Sequence, residues 1–111
     1  MKKLEATIEP YHLDEVREAL AESGIDGMTI SEVRGIDPHA HKAWYRGSEY
    51  VVWFTPHIKL EIVLRDDQVD LCVGALLRCT KTNDDASGEI VVLPIEDMIR
   101  VRTGEHLARA A

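Results

Sequence analysis

Arg100 and Arg102 stand two apart near the end of this 111-residue chain. On one strand face, two guanidinium forks are well shaped for phosphate oxygens. An ion pair with Glu61 or Glu96 would occupy the same groups, and spacing alone favours that plainer use. His39 and His41 make a His-x-His, with His57 further along; imidazoles suit zinc or copper, but these lack a full ligand set. His12 and His106 read as surface residues. Cys72 and Cys79 are seven apart in a helical pattern, which at ~1.5 Å per residue puts their Cα atoms about 10 Å apart, too far for a disulfide. Set among Val69, Val73, Leu76 and Leu77, they read as buried thiols. Nucleophile-elbow, Walker and Cys-x-x-Cys motifs are absent, and the pairs Asp66-Asp67 and Asp84-Asp85 fit helix capping and turn solvation. An enzyme is not expected.

The remaining candidate is the stretch 35–54, GIDPHAHKAWYRGSEYVVWF, which interrupts the hydrophobic periodicity. A connection of about 14 residues is far longer than a usual hairpin turn, and such loops are commonly functional or disordered. Five of the six aromatics, Trp44, Tyr45, Tyr50, Trp53 and Phe54, fall in it, all from residue 44 onward. Phe54 suits packing on a sheet. Trp44 and Tyr45, beside Lys42 and Arg46, suit contact with another protein.

Around these residues the chain sets out a short series of elements. Leu4, Ala6 and Ile8 alternate with polar neighbours, which predicts a strand stopped by Pro10. Leu13, Val16 and Leu20 predict a helix with Asp14 and Glu15 in its first turn and Gly24 at its end. Residues 27–34 predict a second strand, and residues 50–54 and 58–64 a third, interrupted at Pro56. Val69, Cys72, Val73, Leu76 and Leu77 give the clearest helix, with Asp66 and Asp67 as its caps. After the polar stretch 80–88, residues 90–93 predict a buried strand, and Ile99 and Val101 a short last one. The expected fold is α+β: a ferredoxin-like βαββαβ sandwich over residues 1–111 as one domain. It carries a long loop between its second and third strands and a short C-terminal strand. Its uncovered sheet face calls for a second subunit.

Composition narrows the partners. Thirteen Lys and Arg against 20 Asp and Glu leave a net charge of −7, the wrong sign for duplex nucleic acid. With 45% hydrophobic and 30% charged residues the chain is globular. A domain of this size buries only about two-thirds of its unfolded surface, so oligomerisation is expected. No apolar run nears the ~20 residues of a membrane span, and the start Met1-Lys2-Lys3-Leu4-Glu5 lacks a secretory apolar stretch. A cytoplasmic protein, not embedded in a membrane, is expected.

The start MKKLEATIEPYHLDEVREALAESGIDGMTISEVRG, the segment YRGSEYVV, the strand KLEIVLRDDQVD and the closing IRVRTGE resemble the PII signal-transduction proteins nearly end to end. The resemblance implies a homotrimer, with adenine nucleotides (ADP, AMP or ATP) in the clefts between subunits. It also implies a flexible loop, residues 36–53 here, that docks onto a transporter, enzyme or regulator. By position, Gly27, Met28 and Thr29 would meet the adenine, Gly35, Glu61 and Val63 would line the cleft, and Ser87 and Gly88 would lie in a second nucleotide loop. Arg100 and Arg102 would hold phosphates, which makes that use of the pair the favoured one. Tyr50 falls where some members are nucleotidylated, and Trp44, Tyr45 and Arg46 would belong to the docking surface.

Departures from the family pattern redirect the expectation. Asp37-Pro38-His39 stands where members carry Gly-Arg-Gln, whose glutamine helps bind the magnesium that holds 2-oxoglutarate. His57 replaces the lysine that neutralises 2-oxoglutarate, Glu89 a phosphate-facing lysine, and Ala86 a glycine of the same loop. Each close charge contact is worth up to about a few kcal/mol at an effective dielectric near 20, so triphosphate affinity is expected to fall. ADP or AMP should bind at least as well as ATP, and 2-oxoglutarate weakly or not at all. These departures are similar to those of PII-like proteins linked to inorganic carbon uptake and carboxysomes, with Arg34, Arg46 or Lys59 available for bicarbonate. The leading expectation is therefore a trimeric regulator of inorganic-carbon metabolism. The alternatives are a nitrogen-status sensor of ATP and 2-oxoglutarate, a trimeric metal-binding protein using His39, His41 and His57, and a nucleotide-free structural trimer.

Overall fold

The computed structural model describes residues 1–25, 27–45, 47–81 and 88–107, for residues 37–45 and 50–53 the backbone alone. The alternating start forms β1, Lys2–Ile8, with Leu4, Ala6 and Ile8 buried. A 3-10 turn at Pro10–His12 leads into α1, Leu13–Glu22. Asp14 and Glu15 meet the positive end of the α1 dipole, and Val16 and Leu20 bury its inner face. Ser23 closes the helix, its hydroxyl donating to Ala19 O at 2.9 Å. Two long strands follow, β2, Thr29–Tyr45, and β3, Ser48–Leu64. Then come α2, Val69–Thr80, and β4, Ile90–Pro94.

The strands form one sheet in the order β2-β3-β1-β4, each neighbouring pair antiparallel. Register builds the core row by row: Leu4 lies opposite Ile62 and Val92, Ala6 opposite Leu60 and Ile90, and Ile8 opposite Ile58. These side chains meet Val16 and Leu20 of α1 and Cys72, Ala75, Leu76 and Cys79 of α2 in one buried cluster. Both helices thus cover one sheet face. That is the α+β, ferredoxin-like arrangement the hydrophobic periods predict. Both cysteines are buried free thiols.

Five local expectations are corrected. The segment 36–53, expected as a loop, continues β2 and β3 as a two-stranded ribbon, with His41 to Tyr45 paired against Val52 to Ser48. Aromatic and β-branched residues favour this extended pairing, and Gly47, at φ +77°, takes the left-handed backbone of the two-residue connection. The one irregularity, between Ile36 and His41, brackets Pro38, which has no N–H to give a ladder. Pro56 does not interrupt β3, because it lies beyond Ile58, the last residue paired with β1, where the strand has a neighbour on one side only. β4 is an edge strand, and Val91, Val92 and Leu93 are each about two-fifths exposed rather than buried. The short C-terminal strand is instead a tight turn, with Ile99 bridged to His106. Gly104, at φ +71°, lets its N–H reach back to Arg100 O at 2.7 Å and reverses the chain. Asp66 and Asp67 also do not cap α2 directly. They sit in a 3-10 turn where Gln68 Oε1 accepts the Arg65 N–H at 3.0 Å.

Candidate functional site

Three of the residues singled out from the sequence come together at one end of the sheet. Gly35 of β2 lies against His57 of β3; a Cβ at Gly35 would stand 3.2 Å from His57 Cδ2. Gly88 lies against the end of β1, where a Cβ would meet Thr7 O at 2.6 Å, so this contact admits glycine alone. The next residue pins the approach, Glu89 O accepting the Thr7 N–H at 3.2 Å. His57 is 8% exposed; among the described residues its Nδ1 lacks a hydrogen-bond partner, and Glu9 Oε1 lies 3.7 Å from it.

Further along the sheet, Thr29 pairs with Glu61, and Met28 packs against the core while Gly27 stands exposed. On the face away from the helices, Glu5 lies directly opposite Glu61, a like-charge pairing that costs free energy unless a cation intervenes. Lys3 intervenes, its Nζ 2.8 Å from Glu61 Oε2 and 3.2 Å from Glu5 Oε1. Lys59 Nζ completes the lattice 3.6 Å from Glu5 Oε2. The hydrogen bond from Lys3 holds the Glu61 carboxyl below its ordinary range, and Glu61, then Glu5, raise the Lys3 ammonium above its own. Lys59 is thus committed to a carboxylate, which weakens it as a seat for bicarbonate. Val63, Val91 and Leu93, all about two-fifths exposed, leave an apolar margin on this face.

Arg100 and Arg102 do not share a strand face. Arg100 ends the stem of the C-terminal turn and Arg102 lies in the turn itself, both exposed. Neither guanidinium has an ion pair among the described residues; of the two expected partners, Glu61 and Glu96, Glu61 is held by Lys3 instead. Arg34 is exposed on β2 opposite Pro56. Chain topology keeps these groups apart at their roots: β4 ends at Pro94 opposite Lys2, whereas Gly35, His57 and Gly88 gather where β1 ends.

Ser87 and Arg46 lie outside the described residues, as do the side chains of Trp44, Tyr45, Tyr50, His39 and His41. Among the described residues no group of three His, Cys, Asp or Glu is placed to hold a metal, and no helix is long and apolar enough to cross a membrane. Sequence reasoning missed Lys3 and Glu5 and gave Lys59 to an anion, although their alternation with Leu4 and Leu60 already put all three on Glu61's face. It also missed Asp97 and His106, which meet at 2.6 Å across the arginine-bearing turn. Their nine-residue separation gives no sign of contact unless that turn is foreseen.

Comparison with known proteins identifies the relatives of this arrangement. The family model described as "Nitrogen regulatory protein P-II" matches residues 1–105. The chain is 49% identical over 107 residues to the nitrogen regulatory protein P-II of Pasteurella multocida, covering 96% of each chain. It is 50% identical, at the same coverage, to the protein of that name from Klebsiella oxytoca and to nitrogen regulatory protein P-II 1 of Escherichia coli K12.

Proposed function

The chain belongs to the P-II family of nitrogen regulatory proteins, and from that premise we propose that it works as a homotrimer holding an adenine nucleotide in each cleft between subunits. It is a signal-transduction regulator, not an enzyme. The inorganic-carbon expectation is corrected here: the relatives carry nitrogen regulation in their names, and Lys59 is already engaged by Glu5. The pathway proposed is nitrogen regulation.

In this reading residues 1–111 form one domain. Gly27, Met28 and Thr29 meet the base, and Gly35, Glu61, Val63, Ser87 and Gly88 line the cleft. Arg100 and Arg102 grip the phosphates. The ribbon 36–53, with Trp44, Tyr45, Arg46 and Tyr50, docks onto a partner protein in the cytoplasm, and nucleotide binding at its base shifts the population of docking-competent chains. The trimer is supported by the exposed edge and apolar margin of β4 with Val63, surface that a neighbouring copy would cover.

One observation carries the nucleotide reading. Glu61 and Lys59 are tied to counter-charges, while the two exposed guanidinium groups have none among the described residues. Loss of positive charge at His57 and Glu89 favours ADP or AMP over ATP. Calorimetric titration of the purified protein with AMP, ADP and ATP, each with and without magnesium and 2-oxoglutarate, tests this. The expected result is ADP or AMP binding at least as tight as ATP and no gain from 2-oxoglutarate. Magnesium-dependent synergy between ATP and 2-oxoglutarate would establish the second reading, a nitrogen-status sensor of both ligands, which the 96% coverage of the relatives favours. Absence of any adenylate binding would overturn both.

A further inference from the structure

The turn that carries Arg100 and Arg102 is closed by side chains as well as backbone. Leu107 N–H donates to Met98 O at 2.7 Å and Arg100 N–H to Glu105 O at 2.9 Å. These two bonds flank Ile99 and His106, which therefore face each other as a non-hydrogen-bonded pair. In such a ribbon residue 97 shares the face of residue 99 and lies diagonal to residue 106. Asp97 uses that diagonal: its Oδ2 lies 2.6 Å from His106 Nδ1, and its Oδ1 accepts the Met98 N–H at 2.8 Å. A carboxylate only accepts, so Nδ1–H of the imidazole donates, at a distance typical of a charge-assisted bond.

Among the described residues, few further contacts hold this turn shut. A two-stranded turn is marginal by itself in water. Its apolar members contribute little burial, since Ile99 is 54% exposed and Val101 fully so. Among the described residues it is held by the backbone bonds, the Thr103 hydroxyl accepting the Glu105 N–H at 3.2 Å, and the Asp97–His106 pair.

We propose that Asp97 and His106 are positioning residues for the nucleotide site, a clip that keeps the 98–107 turn closed so that both guanidinium groups are presented to one phosphate chain. The proposal rests on the nucleotide reading above. A ligand that needs both arginines binds only the closed turn, so its apparent affinity falls with the closed fraction. Neither clip residue needs to touch the nucleotide.

ADP titration of the full-length protein compares the wild type with His106→Ala, Asp97→Ala, the double variant and His106→Asn, each also melted at one protein concentration. Loss of an exposed, charge-assisted pair should weaken ADP binding about threefold to tenfold in either alanine variant, with the melting temperature nearly unchanged. The double variant should be no weaker than the weaker single one, the non-additivity of partners in one interaction. His106→Asn, whose amide nitrogen stands near the position of Nδ1, should recover most of the affinity. Alanine variants that bind like the wild type, or additive losses in the double variant, would overturn the clip and leave the nucleotide reading intact. Wild-type protein that binds no ADP, or undiminished binding after Arg100→Ala and Arg102→Ala, would overturn the nucleotide reading and the clip with it.

Discussion

Replacing Gly88 by alanine gives a sharp test of how the second nucleotide loop seats on the sheet. The new Cβ would stand 2.6 Å from Thr7 O, where ordinary contact begins at 3.4 Å. The obstructing atom is backbone, so it cannot rotate away; either β1 or the segment entering β4 must move. That movement strains the bond from Thr7 N–H to Glu89 O, already 3.2 Å long. Overpacking costs typically about 1–3 kcal/mol and a lost backbone hydrogen bond about 1, so a destabilisation of roughly 2–4 kcal/mol is expected. For a chain of this size that lowers the melting temperature by about 10 °C. Gly27→Ala is the internal control, because nothing among the described residues lies within 4 Å of its added Cβ and its φ is not positive. Thermal melting and urea unfolding at one fixed protein concentration read both variants. Gly88→Ala within about 0.5 kcal/mol of the wild type, or Gly27→Ala losing as much, would refute the packing argument.

Removing both guanidinium groups, Arg100→Ala with Arg102→Ala, should weaken ADP binding about tenfold to a hundredfold and leave the urea midpoint within error, as read by calorimetry and circular dichroism. Glu61, with its carboxyl held low by Lys3, contributes stability that is complete above its ordinary titration range and is lost as pH falls through the depressed value. Glu61→Gln should therefore flatten the acid limb of stability between about pH 3 and 7, followed by urea midpoints. Burial raises the Cys72 thiol to about 11. Its raised value means the associated stability is complete below about pH 9 and is lost between pH 9 and 11, and at pH 8 iodoacetamide should label Cys72 only after unfolding, as mass spectrometry of the alkylated peptides would show.

The fold was legible because its core obeys two clean periods. Leu4, Ala6 and Ile8 alternate, as do Ile58, Leu60, Ile62 and Leu64, and α2 repeats its apolar residues at helical spacing. The ribbon was not legible, because strands β2 and β3 beyond Gly35 cover no helix and so carry no one-sided pattern; proline at 56 reads as a break although pairing continues across it, and past Pro38 the pairing resumes at His41. The arginine pair was legible by residue type alone. Its geometry was hidden because the reversal at Gly104 looks, in sequence, like the end of an alternating strand. Like-charge opposition of Glu5 and Glu61 was equally hidden, since it exists only once the register of β1 and β3 is fixed.

The ten residues of β3 before Ile58 pair only with β2, so a slender arm of about 33 Å extends from the four-stranded sheet, at ~3.3 Å per residue. It accounts for the elongation of the chain, 58 Å in its longest dimension against 29 and 21 Å in the others. On the function proposed above, such an arm would act as a lever about its base, where Gly35 lies against His57. By simple geometry a rotation of about 10° there would carry the far end about 6 Å, enough to make or break a contact with another protein. In the function proposed above, mechanical advantage of this kind would let a small ligand, touching only the short end, decide what the long end can reach.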